Sequence, residues 1–217
     1  MPTPARGVHA PDLYCITDCS LCPLPLEEQV QEMVGAGARL VQLRAKPCGD
    51  ARLRLAAQNC ATICRWAGAL FIVNDHVEIA ATVGADGLHL GQGDMPVEQA
   101  RRILGEDFII GLSTHNRLQF EAALDLPVNY IALGPVFGTT TKANADPAVG
   151  LAYVSEAARR LQDDHRPLVL IGGITLENLP LVRQAAPNAL VCSIGGILRV
   201  PPIGERVREF RRALGHR

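Results

Sequence analysis

The chain has 217 residues, enough for one α/β barrel or two small domains, and its apolar content of 48% supports a full core. A net charge of −1 gives no bulk attraction for nucleic acid or an anionic membrane, so any work on phosphates must come from a local cluster of charge. No apolar run reaches the ~18 residues of a membrane span, and the N-terminal MPTPARGVHAPDLY lacks a basic-then-apolar signal pattern, which predicts a cytoplasmic protein.

Short apolar runs alternate with longer amphipathic ones. LYCIT (13–17) is followed by helical spacing at Leu26, Val30, Met33 and Val34, and RLVQL (39–43) by the same spacing at Leu53, Ala57, Cys60, Ala61 and Cys64. Next come LFIV (70–73) and GLHL (87–90), after which Pro96 suits the first turn of a helix over 97–104. FIIGL (108–112) and YIAL (130–133) lead to the longest irregular stretch, GPVFGTTTKANADPAVG (134–150). A loop of that length in a compact domain is usually functional or mobile. LVLI (168–171) precedes Thr175, placed to cap a helix over 176–185, and ALVCSI (189–194) is the last run. Gly, Asp, Asn or Pro bounds each run, as for strands.

Eight βα units with near-continuous apolar strands predict a parallel sheet covered on its outer face. Closed on itself, it is a (β/α)8 TIM barrel, a single α/β domain over 1–217 with 1–11 as an N-terminal extension. An open doubly wound sheet is the alternative, weakened by the lack of GxGxxG after the first strand. The seven cysteines are Cys15, Cys19, Cys22, Cys48, Cys60, Cys64 and Cys192. An odd count without an export signal points to reduced thiols. Cys19 and Cys22 have the spacing of a metal or redox pair but no second such pair, so packing is the better reading.

In a barrel the C-terminal strand ends share one rim, which carries the chemistry. After the second run come Gln42, Arg44 and Lys46; after the third, Asn74 and Asp75; after the fourth, Gln92 and Asp94. Ser113, Thr114 and His115 follow the fifth, and Thr139, Thr140, Thr141 and Lys142 lie in the loop after the sixth. Gly172-Gly173 and Gly195-Gly196 follow the seventh and eighth. Each has a bland reading. Asn74, Asp75 and Asp94 are the right types for helix caps. Arg44 and Lys46 fit solvated loop charges, His76 fits a helix surface and His89 fits barrel packing. Taken together, two carboxylates, three cations and two glycine turns on one rim fit a diphosphate held with Mg2+. Asp75 and Asp94 would supply the metal's carboxylates, Arg44, Lys46 and Lys142 the remaining positive charge, and the glycines backbone N–H groups for a second phosphate.

VQLRAK (41–46), FIVNDH (71–76), GADGLHLGQGD (84–94), IGLSTH (110–115), GPVFGTTTK (134–142) and IGGI (171–174) resemble the thiamine phosphate synthase family, in order through about 12–197. The resemblance implies a Mg2+-dependent transferase on a (β/α)8 barrel. It would join hydroxymethylpyrimidine diphosphate to thiazole phosphate, or its carboxylate, and release pyrophosphate. By position, the pyrimidine-diphosphate contacts fall on Gln42, Arg44, Lys46, Asn74, Ser113 and Lys142, and the metal ligands on Asp75 and Asp94. Thiazole phosphate contacts fall on Thr139, Thr140, Thr141, Gly173 and the turn at Ile194-Gly195. Arg44, Lys46, Ser113 and Lys142 would stabilise the leaving group. The last stretch departs from the family pattern, which tends to a serine at Gly195, or at Ser193 if the register slips. Pro187-Asn188-Ala189 stands where the family tends to Ala-Asp-Gly.

The expected partners are the two small-molecule substrates, with no nucleic acid and no membrane; a homo-oligomer is left open. Three rival readings remain. A thiazole tautomerase-like paralogue typically carries a histidine after the sixth strand, where this chain has Pro135. A phosphosugar isomerase needs an acid–base pair on the rim. A non-catalytic phosphate-ligand-binding barrel would need a surface to transmit its signal.

Overall fold

Alternation along each apolar run decides the architecture. In the computed structural model, which describes residues 13–45, 50–141, 146–200 and 202–216, every run forms a short strand. These are β1 (Leu13–Ile16), β2 (Leu40–Leu43), β3 (Leu70–Asn74), β4 (Gly87–Leu90), β5 (Ile109–Thr114), β6 (Tyr130–Leu133), β7 (Leu168–Ile171) and β8 (Leu190–Cys192). All neighbours pair in parallel and the ring closes in chain order, with β1 meeting β2 at Tyr14↔Leu40 and β8 at Leu13↔Val191. Side chains of successive strand residues point to opposite faces. Tyr14, Ile16, Ile72, Tyr130, Val169 and Cys192 thus fill the barrel interior, while Leu13, Val41, Phe71, Leu88 and Ile110 pack outward under the helices.

The outer layer is α1 (Leu26–Gly35), α2 (Asp50–Ala67), α3 (Val77–Thr82), α4 (Val97–Leu104), α5 (Arg117–Leu124), α6 (Gly150–Arg160), α7 (Leu179–Ala185), α8 (Gly195–Leu198) and α9 (Ile203–Ala213). The helical spacings hold: Val30, Met33, Leu53, Ala57, Cys60 and Cys64 are all buried. Gly111 of β5 makes room for the interior aromatic layer. A Cβ there would come within 1.9 Å of the Tyr130 ring.

Some boundaries differ from the sequence expectation. The helix expected over 176–185 starts at Leu179, because Thr175 caps nothing. Its N–H instead donates to Asn178 Oδ1 at 2.8 Å, and Asn178 Nδ2 donates to the Gly173 carbonyl at 2.9 Å, which makes the connection a tight turn. α4 keeps its expected span of 97–104, with Pro96 as the residue just before its first turn. β5 runs on to Thr114, and β8 is shorter than 189–194 because the chain turns into α8 directly after it. The extra short α8 gives nine helices rather than eight among the described residues.

Cys15, Cys22, Cys60, Cys64 and Cys192 are buried and Cys19 is half-buried, as packing roles require. Among the described residues no helix is long and apolar enough to cross a membrane, and no three His, Cys, Asp or Glu side chains cluster as for a metal. Residues 1–11, Lys46, Cys48 and Lys142 lie outside the described residues.

Candidate active site

A closed ring of parallel strands puts all eight C-terminal ends at one mouth. Gln42 sits within β2 and is buried. Two residues on, Arg44 is not a solvated loop charge. Its guanidinium pairs with the carboxylate of Asp18, a fully buried residue just after β1. Asp18 is fixed in turn by Ser20, whose N–H and hydroxyl donate to Oδ1 at 2.8 and 2.5 Å. Thr17 locks the Arg44 backbone, accepting from its N–H at 3.0 Å. The sequence reading missed Asp18, although it follows an apolar run just as Asp75 does.

Asn74 ends β3, and Asp75 turns the chain with φ +64°, the left-handed region that non-glycine residues seldom occupy. Its N–H donates to the His89 carbonyl at 2.9 Å, which ties the ends of β3 and β4 together. The capping readings fail. α3 begins after His76 and α4 after Pro96, each with no side-chain cap. Asp94 Oδ2 instead accepts from Gly91 N–H at 2.7 Å, and a Cβ at Gly91 would sit 3.0 Å from that oxygen. Asp75 and Asp94 follow neighbouring strands, and carboxylates are hard oxygen donors. That suits Mg2+, which takes one or two carboxylates and fills its shell with phosphate and water. Gln92 Nε2 reaches across to the Ser113 carbonyl at 2.7 Å.

A cavity of about 490 Å³ opens over the β5–β8 half of the mouth, and it brings together Ser113, Thr139, Thr140, Thr141, Gly173, Ile194 and Gly195. It does not include Gln42, Arg44, Asn74, Asp75 or Asp94; Asp75 lines a separate cavity of about 230 Å³ with Arg54 and His76. Glycine is required at the β7 turn. Gly172 and Gly173 have φ +99° and +67°, and a Cβ at Gly173 would lie 2.6 Å from the Gly138 carbonyl. Gly195 and Gly196 open α8, whose first N–H groups have no carbonyl within the helix to bond. Ser193 is buried and donates to the Ile174 carbonyl at 2.7 Å, so its hydroxyl braces β8 against the β7 turn.

Arg199, another group the sequence reading missed, lines the same cavity and donates to Thr140 Oγ1 at 3.0 Å and to its carbonyl at 3.3 Å. No short motif contains it; only the fold brings α8 beside the threonine loop. His115 Nδ1 donates to the Gly134 carbonyl at 2.7 Å, which fixes the orientation of the ring. Asp146 Oδ2 stands 3.7 Å from the same ring.

Beneath the mouth runs a buried polar string. Gln42 Nε2 donates to Tyr14 OH at 2.8 Å, and Tyr14 OH lies 2.9 Å from Tyr130 OH. Tyr130 OH is 2.8 Å from His89 Nδ1, and His89 Nε2 is 2.8 Å from Ser113 Oγ. The His89 ring stacks on Tyr130 with centroids 5.6 Å apart, the packing role read from the sequence. Burial pushes both phenols well above the usual tyrosine range, so both keep their protons.

The thiamine monophosphate synthase family model matches residues 13–197. Thiamine-phosphate synthase of Syntrophomonas wolfei is 37% identical over 91% of this chain and 95% of its own length, and that of Lawsonia intracellularis is 38% identical over 94% and 92%. A solved thiamine phosphate pyrophosphorylase from Pyrococcus furiosus matches with TM-score 0.82 at 28% identity, over 94% of this chain and 95% of that one. A parallel barrel with this rim, matched by that model over most of its length, belongs to the thiamine monophosphate synthase family of transferases.

Proposed function

We propose that this chain, acting as one barrel domain, joins hydroxymethylpyrimidine diphosphate to thiazole phosphate at the C-terminal mouth of the barrel. The bond from the pyrimidine methylene to the diphosphate oxygen breaks, and pyrophosphate leaves with the electron pair. The thiazole nitrogen then donates its lone pair to the methylene carbon. No side-chain nucleophile is needed. The protein's task is to hold two rings in line and to stabilise negative charge on the leaving group.

In this reading Gln42 and Asn74 orient the pyrimidine, and Ser113 donates a hydrogen bond to the diphosphate. Arg44, Lys46 and Lys142 offset its charge. Arg44 suits that role because Asp18 holds its guanidinium in one place. Asp75 and Asp94 would hold Mg2+, which when bound supplies Lewis-acid stabilisation of the departing oxygens. Thr139, Thr140, Thr141, Gly173, Ile194 and Gly195 would take the thiazole phosphate.

One observation carries the proposal. The threonine loop, the glycine turns and Ser113 share one cavity, at the same barrel mouth as the two aspartates. Mixing the protein with both substrates and Mg2+ is expected to release pyrophosphate and thiamine phosphate in equal amounts. EDTA should stop the reaction, and Asp75→Asn should remove most of the Mg2+-stimulated rate. Silence at saturating substrates and Mg2+ would refute the proposal, and a full Mg2+ response in Asp75→Asn would refute the metal assignment.

A further inference from the structure

The polar string under the mouth has a direction, and the direction fixes what Ser113 can do. A phenol has one proton to give. Tyr14 OH has two partners among the described residues, Gln42 and Tyr130, and it accepts from the Gln42 amide. Its own proton therefore goes to Tyr130. Tyr130 OH likewise has two partners, accepts from Tyr14, and must donate to His89 Nδ1. A neutral imidazole with Nδ1 as acceptor carries its proton on Nε2. That N–H faces Ser113 Oγ at 2.8 Å. With its oxygen accepting from His89, the serine hydroxyl proton points away from the ring, and Ser113 lines the cavity.

We infer that His89 is a positioning residue, which holds Ser113 as a hydrogen-bond donor toward an anionic oxygen of the leaving diphosphate. The inference rests on the synthase reading for the identity of that oxygen. Its physical basis is the burial of the string from Gln42 to His89, with Ser113 at the exposed end. Gln42, Tyr14, Tyr130 and His89 are each at least nine-tenths buried, so water does not compete for these bonds. Tyr130 holds the ring from two sides, by stacking and by its hydroxyl, which fixes both tautomer and tilt. The string also begins at Gln42, a proposed pyrimidine contact, so one rigid element links the two ends of the same substrate. The opposite polarity, with a proton on Nδ1, would turn the Ser113 proton inward and leave only a lone pair for the diphosphate, which repels it.

The first test reads the unaltered protein by spectroscopy, and a variant serves only to assign one signal. Histidine-selective 15N labelling of the intact protein, with long-range proton–nitrogen correlation, is expected to give a neutral ring protonated on Nε2 for His89. Tyr130→Phe identifies that signal among the six histidines, since of the histidine rings it is His89 whose Nδ1 meets the Tyr130 hydroxyl. The second test is kinetic. His89→Leu should lower kcat roughly 100-fold, the scale for removing one aligned donor to developing negative charge. KM for both substrates should stay within about threefold, since ground-state contacts remain. His89→Gln, whose amide N–H can reach Ser113, should recover most of the rate. In a Ser113→Ala background, His89→Leu should cost almost nothing more in rate, because the proposed effect is exerted through the serine.

A proton on Nδ1, losses that multiply in the double variant, or a Gln variant no better than Leu would each overturn the inference. If His89→Leu does not fold, Tyr130→Phe takes its place in the same cycle with Ser113→Ala and is read the same way. Absence of pyrophosphate release by the unaltered protein would sink the synthase reading, whereas the nitrogen spectrum judges the string by itself.

Discussion

Arg199 stands beside Thr140 because α8 turns directly out of β8, and its guanidinium is the described cation that touches the threonine loop by hydrogen bonds. A charge-assisted bond to a phosphate is stronger and shorter than a neutral one, though exposure of the arginine weakens it. Arg199→Ala is expected to raise KM for thiazole phosphate about tenfold and to leave KM for the pyrimidine diphosphate unchanged, as measured by initial rates with one substrate varied at a time. Asp75 and Asp94 stood out in the sequence as candidates because a carboxylate ending an apolar run is conspicuous. Asp18 obeys the same pattern but was read only as the end of a strand. Tyr14, Tyr130 and Arg199 carry no local signal, since their partners lie 28 to 116 residues away along the chain and meet them only through barrel register.

Between neighbouring strands the fit is tight enough to test by single atoms. A methyl at Gly111 would overlap the Tyr130 ring, and Tyr130 is held at its hydroxyl by Tyr14 and His89. Gly111→Ala should cost at least about 2 kcal/mol in urea unfolding, as overpacking does in a filled core. Adding Tyr130→Ala should return part of that loss, the mark of two residues in contact. A different element responds to acid. Arg166, just before β7, donates to the carbonyls of Ala123, Leu124 and Leu126 at the end of α5, and its hydrogen bonds hold the Asp164 carboxyl below the usual carboxylate range. A depressed carboxyl stabilises the fold above its unfolded value of about 4, and that contribution disappears as pH falls through the folded value. The stability gap between the unaltered protein and Asp164→Asn should therefore be constant from pH 7 to 5 and shrink below about 4. Helices and strands were legible because their periods differ. The β7–α7 connection was misread because Thr175 has the side chain of a cap, while Asn178, three residues on, makes the turn.

Closure of the whole ring buries the thiols together with the core. Desolvation pushes the Cys64 thiol up to about 12 and also raises those of Cys60 and Cys192 well above the usual range, so the reactive thiolate is scarce at neutral pH. In the native protein these three should resist iodoacetamide at pH 8, and they should become labelled together at the denaturant midpoint followed by circular dichroism. Labelling of one of them well before that midpoint would mean that its part of the barrel opens separately. The barrel was predictable as a whole because eight alternations leave few other topologies, whereas a cavity shared by the ends of β5 to β8 depends on how the ring is curved.

The strand pairing between Leu13–Tyr14 and Val191–Cys192 has a consequence for synthesis. A ribosome makes β1 first and β8 nearly last, so the first strand waits through most of translation with one flank unmatched. Domains generally fold as units during synthesis, and a contact between the two ends of a chain is the slowest to bring together. Sealing of this barrel therefore waits until β8 has been made, and until then the β1 flank presents unmatched backbone N–H and C=O groups.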